Sequence, residues 1–225
     1  MIENYLRSRY RQLSSERQIN FTMKTIWWAI LASVILASCA TQRVNSQSTA
    51  TSQSDKALLS QNDELTALLP PGARLLLSAR GDVDADGDDD VLVAYAKSTT
   101  IDDTPRALLI LLRDANGVLH KSVDSPIAIL CKKCGGMMGD PLQQMRVGRG
   151  EFTLRFEGGS RELWSSEFKF VFNIHRGVWI LDEIVFNSLD RVGGKTITNK
   201  RRPADFGDIT LEEFDAGYFS DDDPS

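Results

Sequence analysis

Glu151-Phe152-Thr153-Leu154-Arg155-Phe156-Glu157 decides the fold class, because apolar and polar side chains alternate through all of it. Successive side chains of a strand point to opposite faces, so this period of two gathers Phe152, Leu154 and Phe156 on a buried face and leaves the charges on a wet one. Phe168, Phe170, Phe172 and Ile174 repeat the pattern, and Arg176-Gly177 turns the chain into the apolar stretch 178–186. Alternation in successive segments joined by short turns is the mark of antiparallel strands with one buried face.

Working outward, residues 75–79, 91–96, 107–113 and 118–123 also read as strands. The last two are joined by Asp114-Ala115-Asn116-Gly117, whose Asn-Gly is a strong hairpin signal between apolar runs. Leu58, Leu59, Leu65, Leu68 and Leu69 lie close to a helical stripe that Pro70-Pro71-Gly72 ends. The expectation is a mainly β protein, a single antiparallel sheet or meander over residues 55–215 with one short N-terminal helix, long enough for its own core.

The run Asp82-Val83-Asp84-Ala85-Asp86-Gly87-Asp88-Asp89-Asp90 places six carboxylates in nine residues, between two expected strands. Such crowding is unfavourable unless a positive group offsets it, and hard oxygen donors suit one Ca²⁺. Asp82, Asp84 and Asp86 would give side-chain oxygens, Asp88 its backbone carbonyl, and Asp90 a direct or water-mediated contact, with Gly87 at the sharp bend. Val93 stands where a helix-loop-helix calcium hand needs a bidentate Glu, so the loop is not that hand. An acidic surface turn with no metal is the other reading. The stretch, ending in Asp90-Val91-Leu92-Val93, resembles the calcium loops of FG-GAP and VCBS-type repeats; a single copy is found, so their propeller is not implied.

The first 54 residues do not read as part of the fold. Met23-Lys24 precedes the apolar run 25–37 and then Leu36-Ala37-Ser38-Cys39. A short positive region, an apolar segment too short to span a bilayer and small residues before a cut compose a secretory signal. Leu36-Ala37-Ser38-Cys39 resembles the lipobox of bacterial lipoproteins, which implies cleavage before Cys39, lipid on its sulfur and amine, and, with Ala40 next, an outer-membrane address facing the periplasm. The expected organisation is a misassigned extension over 1–22, a signal peptide over 23–38, a lipid-anchored polar tether over 39–54, the β domain over 55–215 and an acidic tail over 216–225. Met23 is the expected start.

Cys131-Lys132-Lys133-Cys134-Gly135-Gly136 has three readings: a local disulfide between Cys131 and Cys134, favoured outside the reducing cytosol, half of a zinc site completed by His120 and His175, or a redox pair. Cys131 to Pro141, the aspartate loop and Phe156-Glu157-Gly158-Gly159-Ser160 together resemble a group of bacterial envelope proteins to which no activity is attached. That likeness, over about residues 73–181, implies architecture and no reaction.

The chain has 225 residues and a formal charge of -5. Without residues 1–38, 21 basic and 29 acidic side chains remain, a net charge of -8 that is unsuited to phosphate backbones. Lys132-Lys133 and Lys200-Arg201-Arg202 read as solvated loops. No nucleophile elbow, phosphate loop, zinc-protease motif or dinucleotide fingerprint occurs. Glu157 and Glu162 flank a Gly-Gly-Ser turn and read as hairpin solubility rather than a catalytic pair, and Trp164 and Trp179 as core or cross-strand residues rather than a sugar platform. The functional expectation is a non-enzymatic, lipid-anchored cell-envelope protein with a calcium-stabilised β domain that binds or scaffolds another envelope component. A cell-envelope hydrolase, or a redox or metal-handling protein using Cys131 and Cys134, are the alternatives.

Overall fold

The computed structural model describes residues 63–97 and 101–220. They form nine strands: β1 (Arg74–Gly81), β2 (Asp90–Ala96), β3 (Arg106–Arg113), β4 (Leu119–Ile129), β5 (Leu142–Gly148), β6 (Glu151–Gly159), β7 (Glu162–Asn173), β8 (Val178–Asp190) and β9 (Thr196–Arg201). The mainly β expectation holds, but the single sheet does not. β1 to β4 make one antiparallel meander and β5 to β9 a second, and the faces of the two pack into a common core.

The break falls between β4 and β5, where the segment from Cys131 to Pro141 carries the chain from one sheet to the other. A Cβ on Gly135 would lie 2.2 Å from the Gly139 carbonyl oxygen, so only glycine permits this turn to close. Arg106, at the start of β3, is buried and fixes the crossover: its Nε donates to the Leu130 carbonyl at 2.7 Å and its two terminal nitrogens to the Asp140 carboxylate at 2.6 and 2.7 Å. The paired fork geometry makes this a strong, directional contact.

The inner face of the second sheet is the alternating set read from sequence. Phe152, Leu154, Phe156, Phe168 and Phe170 are all within 1% of full burial, and Phe152 stacks on Phe170 with centroids 4.9 Å apart. They meet Leu92, Ala94, Leu108 and Ile110 of β2 and β3. These two strands show no alternation because both their faces are covered. Val91, Val93, Tyr95, Leu109 and Leu111 form a separate core with Leu65 and Leu69, from the helical turn at residues 63–68 and the residue after it. The expected helix thus exists over 63–68, and its earlier part lies outside the described residues.

The domain also extends past residue 215. After β9 come the one-turn helix Pro203–Phe206 and a return segment in which Ile209 accepts from Leu181 N, and Leu211 N donates to the Trp179 carbonyl, both at 2.9 Å. Phe214 packs edge-on against Phe168 and Phe170 at 5.0 Å. Ala216 and Phe219, in the helix Ala216–Ser220, belong to the core. The start of the expected acidic tail is therefore core structure, and only 221–225 lies outside the described residues.

Candidate metal centre

The aspartate run links β1 to β2 within the first sheet. Ala85 and Gly87 adopt φ of 66° and 103°, which winds the chain tightly enough for each acid to cap the next: Asp86 N donates to Asp84 Oδ1 at 3.1 Å and Asp88 N to Asp86 Oδ1 at 2.9 Å. These side-chain-to-backbone turns are the ordinary habit of aspartate in loops. Their result is convergence, since Asp82, Asp84 and Asp86 can each bring one oxygen within 4.8 Å of the others. Burial and the neighbouring Asp86 and Asp82 charges raise Asp84 to about 6, although the Asp86 amide opposes this.

Asp90 has a different position from its three upstream partners. It is 1% exposed, and its oxygens receive Val83 N at 3.0 Å and Arg113 N at 2.9 Å. The side chain closes the loop and ties it to the end of β3. Burial pushes it up to about 7, the two amides pulling the other way and Asp84 and Asp86 adding to the rise. Asp88 is outside the converging trio, and the sequence assigned it only a carbonyl. Asp89 is exposed, and its carbonyl accepts from Arg113 Nε at 2.9 Å.

The loop is also held against the second sheet, through contacts that no local pattern announces. Gly150, in the β5–β6 turn, donates its amide to the Asp82 carbonyl at 2.8 Å, and the Trp179 indole donates to the Val83 carbonyl at 3.1 Å. Val83 itself is completely buried in the inter-sheet core. The sequence reads Trp179 as a core or cross-strand residue, with no hydrogen bond assigned to it. Its polar edge shows its second task.

An oxygen-only trio of this kind fits a hard cation. Asp82 Oδ1 is buried with no hydrogen-bond partner, a costly state for a carboxylate oxygen that an ion coordinated by that atom would relieve. Oxygen donors without nitrogen or sulfur favour Ca²⁺ or Mg²⁺ over zinc, and a pliable loop of several acids suits calcium better than the strict octahedron of magnesium.

The other singled-out residues are scattered. Cys131 is buried, Cys134 is exposed, and their Cα atoms stand 5.1 Å apart at disulfide distance. His120 Nε2 pairs with Asp114 at 3.0 Å across the β3–β4 hairpin, and His175 lies in the turn after β7. Among the described residues, no metal-ligating group of three or more includes these cysteines or histidines. Glu157 pairs with Arg155 at 2.6 Å rather than with Glu162. An open depression of about 480 Å³ beside the β8–β9 hairpin is lined by Arg161, Glu162, Asp190 and Lys195 among others. Its lining carries charges of both signs. Cys39 lies outside the described residues, and no described helix is long and apolar enough to cross a membrane. No protein-family model matches this sequence, and neither curated proteins nor solved structures give a match to it.

Proposed function

We propose that this chain is a non-enzymatic, lipid-anchored cell-envelope protein whose two-sheet domain is stabilised by one Ca²⁺ and binds or scaffolds another envelope component. The calcium reading is carried by the convergence of one oxygen each from Asp82, Asp84 and Asp86, alongside an Asp82 oxygen that is buried without a partner. The anchoring reading rests on Leu36-Ala37-Ser38-Cys39. A binding rather than catalytic surface is supported by the outer face of the second sheet. There Glu157 and Glu167 hold Arg155, Lys169 holds Glu151, and Lys200 and Arg202 hold Glu183. Carboxylates neutralised in this way suit a soluble contact surface better than proton transfer.

The test uses the purified full chain. Calcium should raise its melting temperature by mass action on the folded state, with a dissociation constant of about 10⁻⁴ to 10⁻³ M, as in extracellular modules. Asp82→Ala or Asp86→Ala should abolish the response and Asp89→Ala should keep it. A melting temperature indifferent to millimolar calcium, or an Asp89→Ala variant as damaged as Asp82→Ala, reduces the loop to an acidic turn. Cys39→Ser should release the protein from the membrane fraction or leave an unprocessed precursor, and unchanged retention and mobility would reject the anchor. Affinity isolation from membranes then identifies the partner.

A further inference from the structure

Arg149 is the cationic group placed against the aspartate loop from the opposite sheet. Its Nε lies 3.5 Å from Asp82 Oδ2, on the carboxylate whose other oxygen is buried without a partner. The backbone that carries it is fixed. The next residue, Gly150, donates its amide to the Asp82 carbonyl at 2.8 Å and accepts Phe172 N at 2.9 Å. The side chain itself is 77% exposed, free to swing while its attachment point stays beside the loop. Asp82 is thus contacted by two elements of one turn, an amide on its carbonyl and a guanidinium on its carboxylate.

We propose that Arg149 is the built-in counter-ion of the aspartate loop: it partly neutralises Asp82 in the ion-free protein, and it competes with a divalent cation for that carboxylate. The inference rests on the calcium reading of the loop and adds what sets the affinity. A cation held by Asp82, Asp84 and Asp86 would sit within a few ångströms of a guanidinium whose backbone cannot withdraw. Either the arginine swings into solvent and gives up Asp82, or it stays and repels the ion; both outcomes weaken binding. Because the guanidinium is exposed, the effect is moderate and sensitive to salt.

Calorimetric titration of the purified full chain with CaCl₂ at low and at high ionic strength tests the proposal. Arg149→Ala should bind calcium about three- to tenfold more tightly than the wild type in dilute buffer, and the gain should shrink towards nothing near 1 M salt, where the Debye length is about 3 Å. Arg149→Lys keeps the charge and should stay near wild-type affinity, which separates the charge from the packing of the side chain. Calcium binding by the wild type with Arg149→Ala equal or weaker overturns the role of Arg149 and leaves the calcium reading standing. No binding by either protein overturns both. Equal tightening in Arg149→Lys also overturns the proposal, because loss of guanidinium shape rather than charge would then be responsible.

Discussion

In the presence of a chelator, lowering the pH from 8 to 5 should stabilise this protein, the reverse of common acid behaviour. Burial holds Asp84 at about 6 and Asp90 at about 7, both raised from 3.8. A carboxyl with a raised folded-state pKa binds its proton more tightly in the folded chain, so its favourable contribution is complete below about pH 4 and is lost as the pH rises through 6 and 7. One pKa unit corresponds to about 1.4 kcal/mol. Between pH 5 and 8, Asp90 loses the most and Asp84 less; solvent reaching Asp84 screens its share, and because the two share one repulsion their effects overlap, so the expected loss is about 2–3 kcal/mol. Groups lowered by their partners act elsewhere on the scale. Asp140, an exposed carboxylate whose partial desolvation is outweighed by Arg106, and Glu183, held down by Lys200, lose their contributions only as the pH falls below the usual carboxylate range. Chelated stability should therefore peak near about pH 5. Calcium at about 100 times its dissociation constant should add about 2.7 kcal/mol at pH 8, and much less at pH 5, where protons compete for the same oxygens. Urea unfolding followed by tryptophan fluorescence, at three pH values with and without calcium, measures all of this. Chelated stability that is flat or rises from pH 5 to 8 would refute the packing described for Asp84 and Asp90.

The buried arginine makes an asymmetric prediction: Asp140→Ala should cost about 2–3 kcal/mol in urea unfolding, since it strands the Arg106 charge, while adding Arg106→Met to it should recover part of the loss. Full additivity of the two changes would show that the pair is not coupled. Trp179→Phe keeps an aromatic side chain, though a smaller one, and leaves the Val83 carbonyl without its donor, so a loss of at least about 1–2 kcal/mol and a weaker calcium response are expected; unchanged values for both would remove the indole from the loop's support. Native material isolated without reductant should resist alkylation at Cys131 and Cys134, and replacing both with serine should cost at most about 2–3 kcal/mol because the bridged loop is so short. Ready alkylation of both sulfurs overturns the disulfide.

Strands with one buried face were legible from alternation, and the doubly covered β2 and β3 from short apolar runs bounded by turns. Phe152, Leu154 and Phe156 announce β6 because solvent sits opposite them, and the Asn-Gly turn announces the β3–β4 hairpin. Alternation says that a face is covered and is silent on what covers it, so one sheet and two gave the same pattern. β5 and β9 escaped notice because edge strands bury little: Gln143, Gln144 and Arg146 separate Met145 from its apolar neighbours, and Thr196 to Arg201 has no buried residue. In the C-terminal segment, Asp208, Glu212, Glu213 and Asp215 surround Leu211 and Phe214, and composition there hid a core contribution that only tertiary packing reveals. Asp90 shows the same limit within the candidate site. Its residue type and spacing are those of a ligand, yet its closure of the loop depends on Arg113 arriving beside it through the β2–β3 register, in which Val91 faces Leu111.

The position of the aspartate loop explains why an ion there would matter to the whole domain. Each sheet is a meander of sequence neighbours, so the strands of each can pair locally without reference to the other. What must be added is the docking of the two faces, which apolar burial drives without fixing a unique register. Directional contacts supply that register at two places. One is Arg106 reaching across to Asp140 at the crossover; the other is the loop, where the Asp82 and Val83 carbonyls meet Gly150 and Trp179. The second place is also where carboxylates are crowded and partly buried, so repulsion among Asp82, Asp84 and Asp86 opposes the very geometry that aligns the sheets. A divalent cation would turn that opposition into support at the joint. The acidic cluster, costly alone, then becomes the means by which an external ion reaches the packing of both sheets.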